Sequence, residues 1–332
     1  MADNGNSNYY RVGIAGTINH DLVYGDDLIY EDLGGVLYNI LGIHHLSGGK
    51  VQMKTAVNYG YDIESRLSGY LENIDSVDME GLYRQPVKNP LVELRDIGQG
   101  GKIERLKYRV PALSLSKLSR LTDCDLILVN FISGRDIKTD TLQKLRAGFE
   151  GIIYIDIHSL TLGIKSDGHR YYRRPDNWKA VFECADIVQM NLIETLTMIG
   201  EPGMTIRETE DKEIDRIGKQ IINYGPKIFI LTLGSVGAKV FYSTSRGVKV
   251  HFANLKTSKP LSGEATGCGD LITSAFIVSL FSGAGIPGSL EYAVSIATEK
   301  YLRPGLTGVA ELGVFRKEIP DKTMPGIGGI LR

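Results

Sequence analysis

Five stretches of this 332-residue chain are mostly apolar, β-branched and of strand length: residues 9–16 (YYRVGIAG), 125–131 (DLILVNF), 151–157 (GIIYIDI), 186–190 (DIVQM) and 227–232 (KIFILT). A strand with one wet face alternates polar and apolar residues, whereas a continuous apolar run fits a strand covered on both faces. Helical stretches such as 138–149 and 211–224 separate these runs. The alternation predicts an α/β fold: a central, mainly parallel sheet flanked by helices, in a single domain over residues 8–320.

Two regions break the rhythm. Residues 17–38 and 84–112 are richer in polar, β-prone residues, with glycines at 98, 100 and 101, and KIERLKYRV (102–110) alternates like a half-exposed strand. Both a small β lid inserted in the domain and a pair of surface hairpins fit this pattern. The tail 321–332, with its PGIGG, reads as loosely structured.

Bulk properties exclude several function classes. The net charge of −1, with both signs interspersed, argues against a nucleic-acid or membrane surface. No apolar run approaches the ~18 residues of a membrane span, and the first seven residues lack the apolar core of a signal peptide. Three separated cysteines, Cys124, Cys184 and Cys268, show neither metal spacing nor a disulfide framework, so a reducing, cytoplasmic location is expected. The His44–His45 pair has no evident third ligand.

The stretch 264–276 (EATGCGDLITSAF) carries the chemistry. Gly263, Gly267 and Gly269 precede an apolar segment, 271–281, of helical character. A helix start exposes unpaired N–H groups and partial positive charge, which suits a phosphate. Asp270 at such a place has two readings. It is a helix N-cap, or it accepts the proton of an attacking hydroxyl while loop amides hold a transferring phosphoryl group. No G-x-x-x-x-G-K-[ST] loop occurs, and the first strand lacks the glycine trio of a dinucleotide site.

ATGCGD (265–270) resembles the T-G-A-G-D core of the ribokinase-like (PfkB) carbohydrate kinase family, and four further stretches match that family's motifs in order. GTINHD (16–21) is similar to its G-[ST]-x-N-x-D, GGVLYN (34–39) to its G-G-x-x-x-N, NLIE (191–194) to its N-x-x-E, and LTLGSVGAKV (231–240) to its T-x-G-x-x-G turn. The resemblance spans residues 10–300. It implies a kinase using ATP and Mg2+ on a sugar-like acceptor, with Asp270 as base and Gly267, Cys268 and Gly269 at the phosphoryl group. Asn19, Asp21, Gly34, Gly35 and Asn39 would bind the acceptor. Asn191, Thr232, Gly234, Ser235 and Gly237 would bind the nucleotide, and Glu194 would organise Mg2+ through water. It also implies a homodimer through the lid as one assembly.

Each motif keeps a plainer reading beside that one. Asn19 and Asp21 also suit an Asx turn, Gly34-Gly35 a tight turn, Asn191 and Glu194 a capping box, and 232–237 a chain reversal. Three departures matter. Glu264 stands where the family has Asp near a monovalent-cation site, so cation activation is not carried over. Cys268 replaces an alanine of similar size. Leu37 and Tyr38 replace small residues, which suggests a narrower or more aromatic acceptor pocket. Rival functions are a nucleoside kinase of the same family, with Tyr38 stacked on the base, and a non-catalytic sugar- or nucleotide-binding protein. A phosphosugar acceptor would call on Arg105, Lys107 and Arg109.

Overall fold

The apolar runs form the middle of a ten-stranded sheet. In a computed structural model, which describes residues 9–25, 27–96, 102–200, 210–255 and 263–322, the strand order is Gly247–Asn254, Gly237–Thr244, Ile228–Thr232, Ile187–Asn191, Ile152–Asp156, Leu126–Asn130, Arg11–Thr17, Gln52–Gly60 and Val77–Asp78, with Leu82–Gln85 also beside Gln52–Gly60. Pairing is parallel except at the edge, where Gly237–Thr244 runs antiparallel to both neighbours. Successive residues serve opposite faces, as a pleated strand requires. Leu126 and Leu128 join one buried cluster with Ile40, Phe276 and Leu290; Ile127 and Val129 join the other with Leu142, Phe182 and Ile217. Each fully buried aliphatic side chain contributes about 1.5–3 kcal/mol.

The helices Val36–Ser47, Cys268–Phe281 and Gly285–Tyr301 cover the first face, and Thr139–Ala147, Trp178–Glu183 and Asp211–Ile222 the second. Every residue from Asp270 to Phe281 is buried. A helix apolar all round belongs inside, wedged between other elements. No helix among the described residues is long and apolar enough to cross a membrane.

A separate four-stranded sheet, in the order Leu28–Leu33, His20–Tyr24, Leu91–Asp96 and Lys102–Lys107, stands over the main sheet. All four strands come from the two rhythm-breaking regions. The ends of those regions do otherwise. Thr17 closes the first strand of the main sheet, Val36 opens a helix, and Arg84 and Gln85 pair with Gln52–Gly60. Gly98, Gly100, Gly101 and tail residues 323–332 lie outside the described residues. A hairpin, Leu162–Ile164 with Arg170–Tyr172, props the small sheet from below: the Leu106 amide donates to the Gly168 carbonyl at 2.9 Å.

Candidate active site

The five adjacent parallel strands at the centre of the main sheet end in polar residues: Thr17, Asn130, Asp156, Asn191 and Thr232. Open α/β sheets place ligands outside these carboxyl ends. Here a cavity of about 670 Å³ opens between them, the small sheet and the start of the helix Cys268–Phe281. From the Arg11–Thr17 strand to the Ile228–Thr232 strand is four strand spacings, about 19 Å, enough for two ligands side by side.

The helix begins one turn earlier than its apolar run suggests. Gly267 is its N-cap, at φ 79°, and a Cβ there would lie 2.6 Å from the Tyr38 ring. A Cβ at Gly269 would meet nothing within 4 Å, and the residue lines the cavity. Asp270 is thus the third residue of the helix, and no side chain caps this helix, which removes the N-cap reading. Its carboxylate is buried at the cavity wall and accepts from Asn130 Nδ2 at 2.7 Å. Burial lifts its pKa to about 7, against the opposing pull of the Asn130 bond, its own amide and the Lys300 charge. A carboxylate poised near neutrality and oriented by Asn130 is suited to proton transfer.

Asn19 and Asp21 line the cavity below the small sheet. Asn19 Oδ1 has no hydrogen-bond partner among the described residues, and Asp21 is buried with its pKa raised, first by desolvation and then by Glu104, Asp270, Glu264 and Asp32. Among the described residues Asn19 Oδ1 lacks a donor, which a polyol hydroxyl would supply. Gly34 does not reach the cavity; it makes room for Asp21, whose Oδ2 would lie 1.9 Å from a Cβ there. Gly35 does line it, at φ 65°. Asn39, expected at the acceptor, sits behind the wall instead. Fully buried, it donates to the Asp270 carbonyl at 2.9 Å and accepts from Asn130 Nδ2 at 2.9 Å. Tyr38 reaches the cavity wall but is only 1% exposed, packed beneath Gly267 with its hydroxyl 3.1 Å from that of Tyr30, which leaves little ring surface for a base.

The cations expected for a phosphosugar point elsewhere. Arg105 shares a face with its cross-strand partner Glu93, and Lys107 pairs with the same carboxylate; neither lines the cavity, nor does Arg109. Glu104, the residue before Arg105, faces inward and pairs at 3.2 Å with Arg170, whose side chain is sealed from solvent. Val92, Leu94, Ile132 and Leu162 make this part of the wall apolar.

Asn191 and Glu194 form a complete capping box: Glu194 N donates to Asn191 Oδ1 at 2.8 Å and Asn191 N to Glu194 Oε2 at 2.8 Å. Both also line the cavity, and burial pushes the Glu194 carboxyl up to about 8. Three residues beyond the recognised motifs belong to the same wall. Asp156, its pKa raised by burial and then by Asp270 and Glu194, accepts from Gln189 Nε2 at 3.0 Å and Thr273 Oγ1 at 3.2 Å. Gln189 also donates to the Gly269 carbonyl at 3.0 Å, tying strand to loop. His158 lines the cavity at φ 38°, and burial with the nearby Arg170 charge lowers its pKa to about 4, keeping it neutral. Carboxylates that raise one another's pKa are short of a cation. No three metal-ligating side chains converge among the described residues. Asp156 and Glu194 still suit Mg2+, which takes one or two carboxylates and completes its shell with water and phosphate oxygens.

Thr232, Gly234, Ser235 and Gly237 line the far end of the cavity. Gly237, at φ 122°, would put a Cβ 2.2 Å from the Ala253 carbonyl, so the turn itself demands glycine. The Cys268 thiol points to the carbonyl oxygens of Glu264 and Ala297, at 3.9 and 3.6 Å.

Residues 171–311 match the family model of the pfkB family carbohydrate kinases. The chain has the fold of the ribokinases. It is 19% identical to a pyrophosphate-dependent kinase in the ribokinase family, solved as a sulfate complex, over 89% of this chain and 96% of that one, with a TM-score of 0.72. It is 18% identical to ribokinase from Thermotoga maritima over 97% and 99% of the two chains, with a TM-score of 0.65. To ribokinase from Arabidopsis thaliana, solved with ribose and ATP, it is 15% identical over 98% and 99%, with a TM-score of 0.67. Comparison with curated proteins by sequence gives no match.

Proposed function

We propose that this protein is a kinase of the ribokinase family that transfers the γ-phosphoryl group of ATP, with Mg2+, to a hydroxyl of a sugar-like acceptor. The observation that carries the reading is Asp270: a buried, non-capping carboxylate, oriented by Asn130, in the first turn after a glycine loop. Asn19 and Asp21 hold acceptor hydroxyls, so that one of them meets Asp270. Asp270 takes its proton as the oxygen attacks, while the amides of Gly267 and Gly269 serve the anionic group in transfer, the Cys268 amide being bonded to the Ala265 carbonyl at 3.2 Å. Asp156 and Glu194 would hold Mg2+, which neutralises phosphate charge when bound. A coupled assay of sugars and nucleosides, with ATP and pyrophosphate as parallel donors, tests the reading; binding without turnover under every pairing would overturn it.

A nucleoside acceptor is the second reading, supported by the apolar wall of Val92, Leu94, Ile132 and Leu162 rather than by Tyr38. Nucleoside turnover above sugar turnover in the same assay would favour it.

Two substitutions separate the roles. Asp21→Ala is expected to weaken acceptor binding by about 1–3 kcal/mol, because ligand hydroxyls lose their buried acceptor. ATP affinity, measured calorimetrically, should stay near wild type; the opposite pattern would refute the assignment. Glu194→Gln keeps the capping box, since Gln serves at that position as well as Glu. Turnover should fall and the Mg2+ titration shift to higher concentration, with little change in melting temperature. An unmoved titration would leave Glu194 a cap only.

A further inference from the structure

The last turn of the helix Gly285–Tyr301 carries a lysine, Lys300, whose side chain is completely buried. Its ammonium lies 3.6 Å from Glu264 Oε2 and 5.5 Å from the centre of the Tyr38 ring. Neither Lys300 Nζ nor Glu264 Oε2 makes a hydrogen bond among the described residues. Such a pair is a poor source of stability, because the desolvation of two ions offsets their attraction unless hydrogen bonds complete the site. The lysine is better explained by what lies above it.

That neighbour is the glycine loop. The Glu264 amide donates to the Tyr301 carbonyl at 3.0 Å, the Thr266 amide to Glu264 Oε1, and the Cys268 thiol approaches the Ala297 carbonyl at 3.6 Å. Gly267 packs on the ring of Tyr38. The loop therefore rests on the C-terminal turn of a helix, where the dipole is negative, on one carboxylate and on an aromatic ring. Every one of these groups attracts a cation. Lys300 is the cation the chain supplies.

We propose that Lys300 is a built-in cation of the phosphoryl-binding loop: its ammonium balances Glu264 and holds the loop amides in place for the anionic group, so that no monovalent metal ion is needed there. Lys300 touches no substrate; it is a positioning residue. The kinetic half of this inference rests on the kinase reading above, and the binding half does not.

Lys300→Met removes the charge at similar volume, and Lys300→Ala also opens a space beside Glu264. Binding of inorganic pyrophosphate and of a non-hydrolysable ATP analogue, each with Mg2+, is measured by calorimetry in tetramethylammonium buffer. Both variants should bind about tenfold more weakly, short of the 10²–10³ lost with a donor that touches the anion. KCl or NH4Cl should restore the Ala variant, leave the Met variant weak and leave wild type unchanged. Turnover, once an acceptor is known, should follow the same pattern. Should the Ala variant fail to fold, the Met variant decides, since an apolar replacement of a buried pair member is checked directly by its melting curve. Wild-type affinity in the Met variant, or activation of wild type by K+, would overturn the inference. If wild type binds donor but transfers nothing, the kinase reading fails and the binding result still stands; if it binds neither probe, both fail.

Discussion

Asp270→Asn is expected to lower phosphoryl transfer at least a hundredfold, within the 10²–10⁴ attributed to general-base catalysis, while the protein melts at or above the wild-type temperature at about pH 8. Asn keeps the shape and the oxygen that accepts from Asn130 at 2.7 Å, and the helix loses no cap because Gly267 occupies that position. Only the basic oxygen and the buried charge disappear. The sign of the stability change follows from the raised pKa. In the folded protein Asp270 titrates near 7, whereas an unfolded aspartate titrates near 3.9. The folded state therefore holds a proton that the unfolded chain has released, and the stability this confers is lost as pH rises through about 7. The Asn variant lacks that loss. Kinetically, the wild-type base is ionised above about 7, so kcat/KM should rise with pH on an acidic limb near that value, and the limb should be missing from the residual activity of the variant. Near-wild-type turnover in Asp270→Asn would contradict the assignment.

Gly267→Ala should be the second severe change, and Gly269→Ala its control. At φ 79° an alanine costs roughly 1–2 kcal/mol of backbone strain, and its Cβ would lie 2.6 Å from a Tyr38 ring that is buried and linked to Tyr30. The loop must move, and a displacement of about 1 Å at a reacting centre can cost about 10² in rate. The expected result is a lower melting temperature together with a roughly hundredfold loss of transfer. A Cβ added at Gly269 would meet nothing within 4 Å, so its Ala variant should melt like wild type yet lose donor affinity as the new methyl enters the cavity. Full activity in Gly269→Ala would mean that the loop does not approach the ligand.

The sheet was legible because strands buried on both faces write an uninterrupted apolar string: DLILVNF and GIIYIDI are central strands. The loop was legible for a related reason, since small residues before a buried helix stay contiguous in sequence. The wall behind the loop was not. Asn130 is 140 residues from Asp270, and Gln189 is 80 from Gly269. A single polar residue closing an apolar run marks a strand's carboxyl end, but nothing in the run says what it meets. Asp156 and Asn130, register partners on adjacent strands, carried that signal unread. Asn39 shows the converse difficulty. Its motif suggested the acceptor, yet the close packing of the helix Val36–Ser47 on Cys268–Phe281 turns it to the Asp270 carbonyl. Asn191 and Glu194, three apart, read as a cap from the residues alone and as a magnesium site from the resemblance; the capping box is formed and the cavity is lined at once, because a carboxylate oxygen that accepts one hydrogen bond retains a further lone pair. For Lys300 no motif existed. Its role rests on burial and on Glu264, which only the fold brings together.

Phosphorus NMR of the complete reaction tests the central claim most directly. Wild type, Mg2+, donor and an acceptor found by the assay above are predicted to produce a new phosphate monoester resonance in step with donor loss, absent without acceptor and reduced at least a hundredfold with Asp270→Asn. Donor cleaved to inorganic phosphate at the same rate without acceptor, or a monoester formed equally by the Asn variant, would contradict transfer to a hydroxyl deprotonated by Asp270.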